Sequence, residues 1–190
     1  LPWARQLLEM LLDYDLFGLQ TRRYLRNFCD SLMTELPGVL MGDTFVCGGQ
    51  SLTTRVYPVG IEPDSIRRMA DEQPETQTVK FLASLSARQK IILGVDRLDY
   101  TKGVVQRMLT FEHLLEHYPA LRGKVTMIQI SAPSRSRVPE YVEEKLKIDQ
   151  LVGRINGRFS DDDWVPLRYL YRSFPLDELV AFYRQADVCL

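Results

Sequence analysis

Cysteine and histidine, the residues that most often hold metals or form disulfides, are scarce in this sequence. The three cysteines are Cys29, Cys47 and Cys189, and no two of them have the spacing of a CxxC pair. This favours reduced thiols in a cytoplasmic protein over a disulfide framework or a zinc site. The two histidines, His113 and His117, lie four residues apart on a predicted helix, and the sequence offers no third ligand near them. No metal centre is predicted.

Long apolar runs and an excess of one charge are also missing. No stretch approaches the roughly 20 apolar residues that span a bilayer, and the N-terminus lacks the basic and then apolar pattern of a signal peptide. The net charge of −1 argues against a nucleic-acid partner. With 45% hydrophobic and 26% charged residues, the composition is typical of a globular protein. A cytoplasmic protein without a membrane partner is expected.

Helical and strand patterns alternate along the chain, which predicts an α/β fold with a mostly parallel sheet covered on both faces. A polar, proline-containing stretch over 71–80 predicts a surface connection, and Asn156-Gly157 predicts the end of a helix. Predicted helices cover 4–13, a segment capped by Thr21, 104–118, a segment from Pro139 and 176–183, and predicted strands cover 14–19, 56–61, 90–95 and 124–130.

The loop after the strand at 90–95 has the outline of an anion site. It carries Arg97 and Lys102 beside the start of the next predicted helix, whose free N–H groups and dipole favour negative charge. Ligands of such sheets bind beyond the carboxyl ends of the strands. The plainer alternative is that Arg97 pairs with Asp96 or Asp99 while Lys102 lies at an ordinary helix start.

A second basic loop follows the next strand. Arg135 and Arg137 lie between Ser131 and Val138, directly after the strand predicted over 124–130. Carboxyl ends of parallel strands share one edge of a sheet, so this loop is expected near the first one. The alternative for Arg135 is a solvated loop arginine.

Several motifs, in order and spacing, resemble the trehalose-6-phosphate synthases, a family of retaining glycosyltransferases. The resemblance is strongest in Val-Asp-Arg-Leu-Asp-Tyr-Thr-Lys-Gly at 95–103. It covers nearly the whole chain, apart from about 33–54 and 66–87, and continues through Asp13–Thr21, Val56–Pro63, Gln129–Arg135, Val152–Phe159, Tyr169–Phe174 and Ala186–Val188.

This resemblance implies a GT-B fold of two Rossmann-like, doubly wound domains. The chain starts without an initiator methionine and ends where a strand pattern begins at Val188, so a central fragment of a longer protein is expected. Residues 1–70 would be the end of the N-terminal domain and 71–87 a connection. Residues 88–190 would be the first part of the C-terminal, nucleotide-sugar-binding domain.

The resemblance also implies a reaction and a set of site residues. Glucose would pass from UDP-glucose to glucose 6-phosphate, in trehalose biosynthesis, with no cofactor, no metal and no accepted carboxylate nucleophile. Arg97 and Lys102 would hold the donor diphosphate and act in catalysis. Phe174 and Ile130 would flank the nucleotide base, although each fits a core position equally well. Arg135 would contact the acceptor phosphate.

Two alternatives to this function stay open. One is another related retaining glycosyltransferase with a different phosphorylated acceptor, such as a glucosylglycerol-phosphate synthase, which would share most of the motifs but whose pattern lacks an arginine at the place of Arg135. A non-catalytic, synthase-like subunit would bind sugar phosphates and regulate a partner. The resemblance also leaves open the nucleotide of the donor, a fused phosphatase domain and assembly into a homo-oligomer.

Overall fold

The computed structural model describes residues 2–73 and 75–190. They form two compact units, unit 1 (Leu1–Glu62) and unit 2 (Pro63–Leu190). The division lies between Glu62 and Pro63, and the domain bounds 1–70, 71–87 and 88–190 stay a prediction.

Unit 1 contains two helices and a four-stranded mixed sheet. Its elements are α1 (Ala4–Leu11), β1 (Leu16–Leu19), α2 (Arg22–Glu35), β2 (Val39–Met41), β3 (Thr44–Cys47) and β4 (Gln50–Val56). The sheet order is β1-β4-β3-β2, with β1 parallel to β4 and the other pairs antiparallel. The predicted cap of α2 is confirmed, because the Thr21 hydroxyl accepts a hydrogen bond from the Tyr24 N–H at 3.1 Å.

The strand predicted over 56–61 is wrong in its position. β4 ends at Val56, and the chain from Tyr57 to Glu62 has no regular structure. The strand lies upstream, where β3 and β4 form a hairpin through Gly48 and Gly49, both with positive φ. Two consecutive residues with positive φ are typical of the tight turns that join antiparallel strands.

Unit 2 is an α/β unit with an all-parallel sheet. Its elements are α3 (Pro63–Asp71), α4 (Gln77–Ser86), β5 (Lys90–Arg97), α5 (Val104–His117), β6 (Val125–Ala132), α6 (Pro139–Phe159), β7 (Leu167–Leu170), α7 (Leu176–Gln185) and β8 (Val188–Cys189). The connection expected over 71–87 is therefore largely the helix α4, which packs on α7. Within the described parts of the chain, no helix combines the length and apolar character needed to cross a membrane.

Helices cover both faces of the unit 2 sheet, as a doubly wound fold requires. Side chains alternate between faces along a strand, and β6 sends Met127 into a core with α5 and α6 while Ile128 enters a core with α4 and α7. The strand order is β7-β6-β5-β8. It matches the 3-2-1-4 order of dinucleotide-binding sheets, with a switch point between β5 and β8. The predicted α/β class is confirmed.

Asn156 does not end a helix, contrary to the sequence prediction. α6 continues through Asn156 and Gly157 to Phe159. The Asn156 side chain donates from Nδ2 to the Leu167 carbonyl at 2.9 Å, and its Oδ1 accepts from the Leu167 N–H at 3.0 Å. This amide therefore pairs with backbone groups at the start of β7. Asn156 occurs here because of this tertiary contact, and not because the helix ends, as its local propensity predicts.

Replacing Asn156 with alanine is expected to lower the free energy of unfolding by about 2–4 kcal/mol. The change leaves the N–H and carbonyl of Leu167, a residue only 1% exposed, without partners, and each buried unpaired group costs about 1–3 kcal/mol. Urea unfolding followed by circular dichroism measures the loss. Asn27→Ala, on the exposed face of α2, is the control, and an equal midpoint for both variants would contradict the assignment.

Candidate active site

Four of the predicted site residues, Arg97, Lys102, Arg135 and Phe174, lie at the carboxyl ends of three neighbouring strands of the unit 2 sheet or in the loops that follow them. Arg97 ends β5 and is in register with Ala132, the last residue of β6. The loop that carries Arg135 therefore begins beside Arg97. Phe174 lies in the loop between β7 and α7, and β7 pairs with β6 in parallel. All three loops leave from the carboxyl edge, as parallel strands require.

The loop after β5 leads directly to a helix N-terminus next to the switch point. Lys102 ends a single 3-10 turn, Tyr100–Lys102, and Gly103 adopts the left-handed conformation with φ of 65° before α5 begins at Val104. A left-handed residue at this point suits glycine, which has no Cβ to clash. The arrangement brings two cations close to free N–H groups, which is the chemistry of an anion site.

The pairing of Arg97 with its neighbouring aspartates is not observed. Asp96 accepts instead from Arg107 Nη1 at 2.7 Å. Asp99 accepts from the N–H of Thr101 at 2.9 Å and from its hydroxyl at 2.7 Å. Among the residues that the structure describes, Arg97 and Lys102 are exposed and form no ion pair within 4.0 Å. Both cations are available to a ligand.

The carboxyl of Asp99 is held in its charged form. Hydrogen bonds from the Thr101 hydroxyl and N–H lower the pKa of this carboxyl from its usual range, and Tyr141 and the charge of Lys102 contribute in the same direction. The loop therefore keeps a fixed negative charge beside its two cations, and this charge anchors Thr101 at the start of the 3-10 turn.

A polar network of half-buried Asp96 and Arg107 and buried Gln129 supports the end of β5. Arg107 Nη1, on α5, donates to both Asp96 Oδ2 at 2.7 Å and Gln129 Oε1 at 2.8 Å. Gly94 makes room for it, because a Cβ there would clash with Gln129 Oε1 and lie 2.6 Å from Arg107 Nη1. The network fixes Asp96, the residue directly before Arg97. Sequence analysis missed this network, whose members are far apart in the chain.

Arg135 has a backbone conformation that is unusual for its residue type. Its φ is 45°, and among the described residues no other non-glycine residue has a positive φ. The left-handed region costs about 1–2 kcal/mol for a residue with a Cβ, and such strain is common at functional sites. A turn bond from the Val138 N–H to the Arg135 carbonyl, at 2.9 Å, holds the conformation. Arg135 is thus a constrained residue, although its side chain is exposed.

Phe174 and Ile130 have different environments. Ile130 is 2% exposed and belongs to the core between the sheet, α4 and α7. Its side chain therefore packs in the core, which is the alternative that the sequence left open, and its place beside the nucleotide base stays a prediction. Phe174 is half-buried, packs edge-on against Phe182 at 5.0 Å, and has the Arg172 guanidinium 4.4 Å from its ring centre. Part of Phe174 stays open to solvent.

The family motif at Val152–Phe159 has a structural role. Glu112, the one acidic residue on the predicted inner face of α5, is 7% exposed. It forms an ion pair with Arg154 and lies 3.9 Å from Arg158. The two arginines of α6 thereby neutralise a carboxylate between α5 and α6, which explains why an acidic residue is tolerated there.

The sequence prediction that His113 and His117 lack a third neighbouring ligand is wrong. Glu116 lies beside them, and one ligand atom of each residue falls within 4.8 Å of the others. However, Glu116 already forms an ion pair with Arg158, and His117 Nδ1 lies 3.0 Å from the His113 carbonyl oxygen. A metal would have to compete with an arginine for the carboxylate.

A parallel sheet in this order, with helices on both faces, defines an α/β fold of the dinucleotide-binding type. The comparison with known families is more specific. The chain belongs to glycosyltransferase family 20, whose family model matches residues 1–190.

Individual relatives agree with this family. The α,α-trehalose-phosphate synthase (UDP-forming) of Candida albicans is 38% identical over 100% of this chain and 40% of its own length. A crystal structure of the Burkholderia xenovorans enzyme in complex with glucose-6-phosphate matches with a TM-score of 0.84 and 38% identity, over 99% of this chain and 42% of that one. The E. coli enzyme bound with UDP-2-fluoro glucose has a TM-score of 0.84 and 36% identity, over 100% and 42%.

The chain spans about two fifths of the length of these relatives. Over that span, the likeness to solved synthases confirms the predicted GT-B class as well as the α/β fold.

Proposed function

We propose that the protein carrying this chain is an α,α-trehalose-6-phosphate synthase, which transfers glucose from UDP-glucose to glucose 6-phosphate. The observation that carries the proposal is the arrangement at the carboxyl edge of unit 2. Two exposed cations lie at the end of β5 (Arg97) and in the loop that follows it (Lys102), and a third, Arg135, lies in the loop after the adjacent strand β6. Two neighbouring basic loops suit a reaction in which both substrates carry phosphate.

The donor site is assigned to the loop after β5. The bond from the glucose C1 to the diphosphate breaks, and negative charge grows on the departing UDP. Fixed positive groups stabilise that charge. The guanidinium of Arg97 can bind two phosphate oxygens in a planar fork, and Lys102 supplies a compact charge. Phe174, partly open at the same edge, is assigned to the surroundings of the nucleotide base.

The acceptor site is assigned to Arg135. Its charge would bind the phosphate of glucose 6-phosphate, while a sugar hydroxyl forms the new bond to C1 and passes its proton to the departing diphosphate. This route needs no carboxylate nucleophile. Binding of the acceptor phosphate at a loop adjacent to the donor loop would bring the two sugars together, which lowers the entropic part of the barrier.

The domain assignment is part of the same proposal. We assign unit 1 to the N-terminal domain and unit 2 to the C-terminal, nucleotide-sugar-binding domain of a longer GT-B enzyme. A cytoplasmic location is proposed as well, in keeping with the free thiols of Cys29, Cys47 and Cys189.

The test is UDP release from UDP-glucose by the full-length protein, compared with glucose 6-phosphate, glycerol 3-phosphate and no acceptor. Release that depends on glucose 6-phosphate is expected. Release with glycerol 3-phosphate alone would instead identify a glucosylglycerol-phosphate synthase. Binding of sugar phosphate without any release would favour a regulatory subunit, and either result would overturn the proposed function.

A further inference from the structure

The hydroxyl of Tyr141 connects the two basic loops at the carboxyl edge of the unit 2 sheet. It accepts a hydrogen bond from Arg135 Nη1 at 3.1 Å and donates to Asp99 Oδ2 at 3.3 Å. Arg135 belongs to the loop after β6, and Asp99 to the loop after β5. One buried hydroxyl therefore contacts both the arginine assigned to the acceptor and the loop assigned to the donor.

Tyr141 is itself firmly placed. It lies in the first turn of α6 and is 4% exposed. Its ring packs edge-on against Tyr100, with 5.6 Å between ring centres. Its N–H donates to the Val138 carbonyl at 3.0 Å, and Val138 in turn closes the turn on Arg135. A buried ring packed against Tyr100, on a backbone bonded to Val138, gives its hydroxyl a fixed position.

A fixed hydroxyl restrains the guanidinium that it contacts. An arginine side chain carries about 2 kcal/mol of rotamer entropy, so a free Arg135 would lose much of it when a phosphate binds. The contact with Tyr141 occupies one N–H of Nη1 and leaves the Nη2 and Nε donors to form a planar fork. The left-handed backbone of Arg135 adds to this preorganisation.

The other partner of the hydroxyl is equally constrained. Asp99 accepts two hydrogen bonds from Thr101, and its carboxyl stays ionised because these bonds lower its pKa. A charged acceptor orients the Tyr141 proton toward Asp99, so that a lone pair of the hydroxyl faces Arg135. This fixes the direction of both hydrogen bonds: Arg135 donates to Tyr141, and Tyr141 donates to Asp99.

We infer that Tyr141 is a positioning residue that holds Arg135 ready for the phosphate of a sugar-phosphate acceptor. The inference rests on the proposed function only in the identity of that acceptor. Tyr141 does not touch the phosphate and acts through Arg135 alone. Its hydroxyl, and not only its ring, is the functional group.

The experiment is a double-mutant cycle of Tyr141→Phe and Arg135→Ala in the full-length protein, with the Kd of glucose 6-phosphate measured by calorimetry. Tyr141→Phe keeps the ring and removes the hydroxyl. It is expected to raise this Kd roughly three- to tenfold, the effect of one hydrogen bond. The Kd of UDP should change less than twofold. In the Arg135→Ala background, Tyr141→Phe should have no further effect, because the two residues act as one.

Kinetics and a matched variant separate positioning from a general structural effect. The KM for glucose 6-phosphate should rise in Tyr141→Phe, with kcat changed by less than a factor of about two. Tyr118→Phe, at a tyrosine that is 60% exposed, is the control and should match the wild type. A merely structural role would lower Tm, weaken both ligands and persist in the Arg135→Ala background, and this result would overturn the inference.

Failure of the inference differs from failure of the proposed function. If UDP release depends on glucose 6-phosphate but Tyr141→Phe binds it like the wild type, the function stands and the role of Tyr141 is refuted. If the protein transfers no glucose yet binds glucose 6-phosphate through Arg135, the binding cycle still decides the role of Tyr141. A wild-type protein that binds no sugar phosphate would overturn both.

Discussion

Replacing Arg97 with alanine in the full-length protein is expected to lower kcat/KM for UDP-glucose roughly ten- to a hundredfold. One charge-assisted phosphate contact contributes about 1.5–3 kcal/mol, and the loss falls on the departing diphosphate. Because the proposed reaction builds negative charge on the leaving group as the bond to C1 breaks, part of the effect should appear in kcat and not only in donor affinity. Initial rates at varied UDP-glucose and saturating glucose 6-phosphate measure both constants.

Two further variants make this expectation specific. Arg97→Lys keeps the charge but loses the planar fork, so it should recover only part of the rate. Arg88→Ala removes a cation just before β5, at the opposite end of the same strand, and should leave kcat/KM within about twofold of the wild type. Equal losses for Arg97→Ala and Arg88→Ala would mean that the effect comes from net charge and not from a donor site.

Much of unit 2 could be predicted from the sequence because its signals are local. The apolar run Ile91–Leu93 marks the start of β5, and the helical periods of α5, α6 and α7 fall near the bounds that the structure has. Parallel topology then places the ends of successive strands at one edge, so the convergence of Arg97 and Arg135 follows from their positions in the chain. Because the fold is common and its motifs occur in the same order in related sequences, the positions of these helices, strands and loops can be predicted.

The contacts that organise the site could not be predicted, because they join residues that are distant in sequence. Asp99 and Tyr141 are 42 positions apart, and neither residue type signals a partner. Arg107 lies on α5 between the buried residues Val104 and Phe111, and nothing in the local sequence shows that it donates to Asp96 on β5. Asn156 was assigned to a turn because local propensity cannot register a partner on another element.

Unit 1 was less predictable than unit 2 for a related reason. Its sheet is built largely from β2, β3 and β4, which lie in a stretch without a strong hydrophobic period, and β2 and β3 have only three and four residues. Their burial patterns alternate only weakly: Val39 and Met41 of β2 are exposed, and Phe45 and Leu52 are the fully buried apolar residues of β3 and β4. Short antiparallel strands depend on their neighbours for stability, so their positions appear only in the folded sheet.

Replacing Arg135 with alanine is expected to weaken the binding of glucose 6-phosphate roughly ten- to a hundredfold, with the Kd of UDP nearly unchanged. The reason is the same loss of one charge-assisted phosphate contact, now confined to the acceptor. Calorimetric titration with each ligand separates the two effects. Arg137→Ala, two positions along in the same exposed loop, is the matched control and should bind both ligands like the wild type.

Comparing glucose 6-phosphate with glucose as the acceptor tests directly whether Arg135 binds the phosphate. If Arg135 binds the phosphate, the wild type should use glucose 6-phosphate far better than glucose, and the ratio of the two kcat/KM values should shrink in Arg135→Ala by about the same factor as the affinity. The change should arise from the phosphorylated substrate alone, because glucose offers nothing for Arg135 to bind. A ratio that stays at the wild-type value while both activities fall would place Arg135 in folding or donor binding and not at the acceptor phosphate.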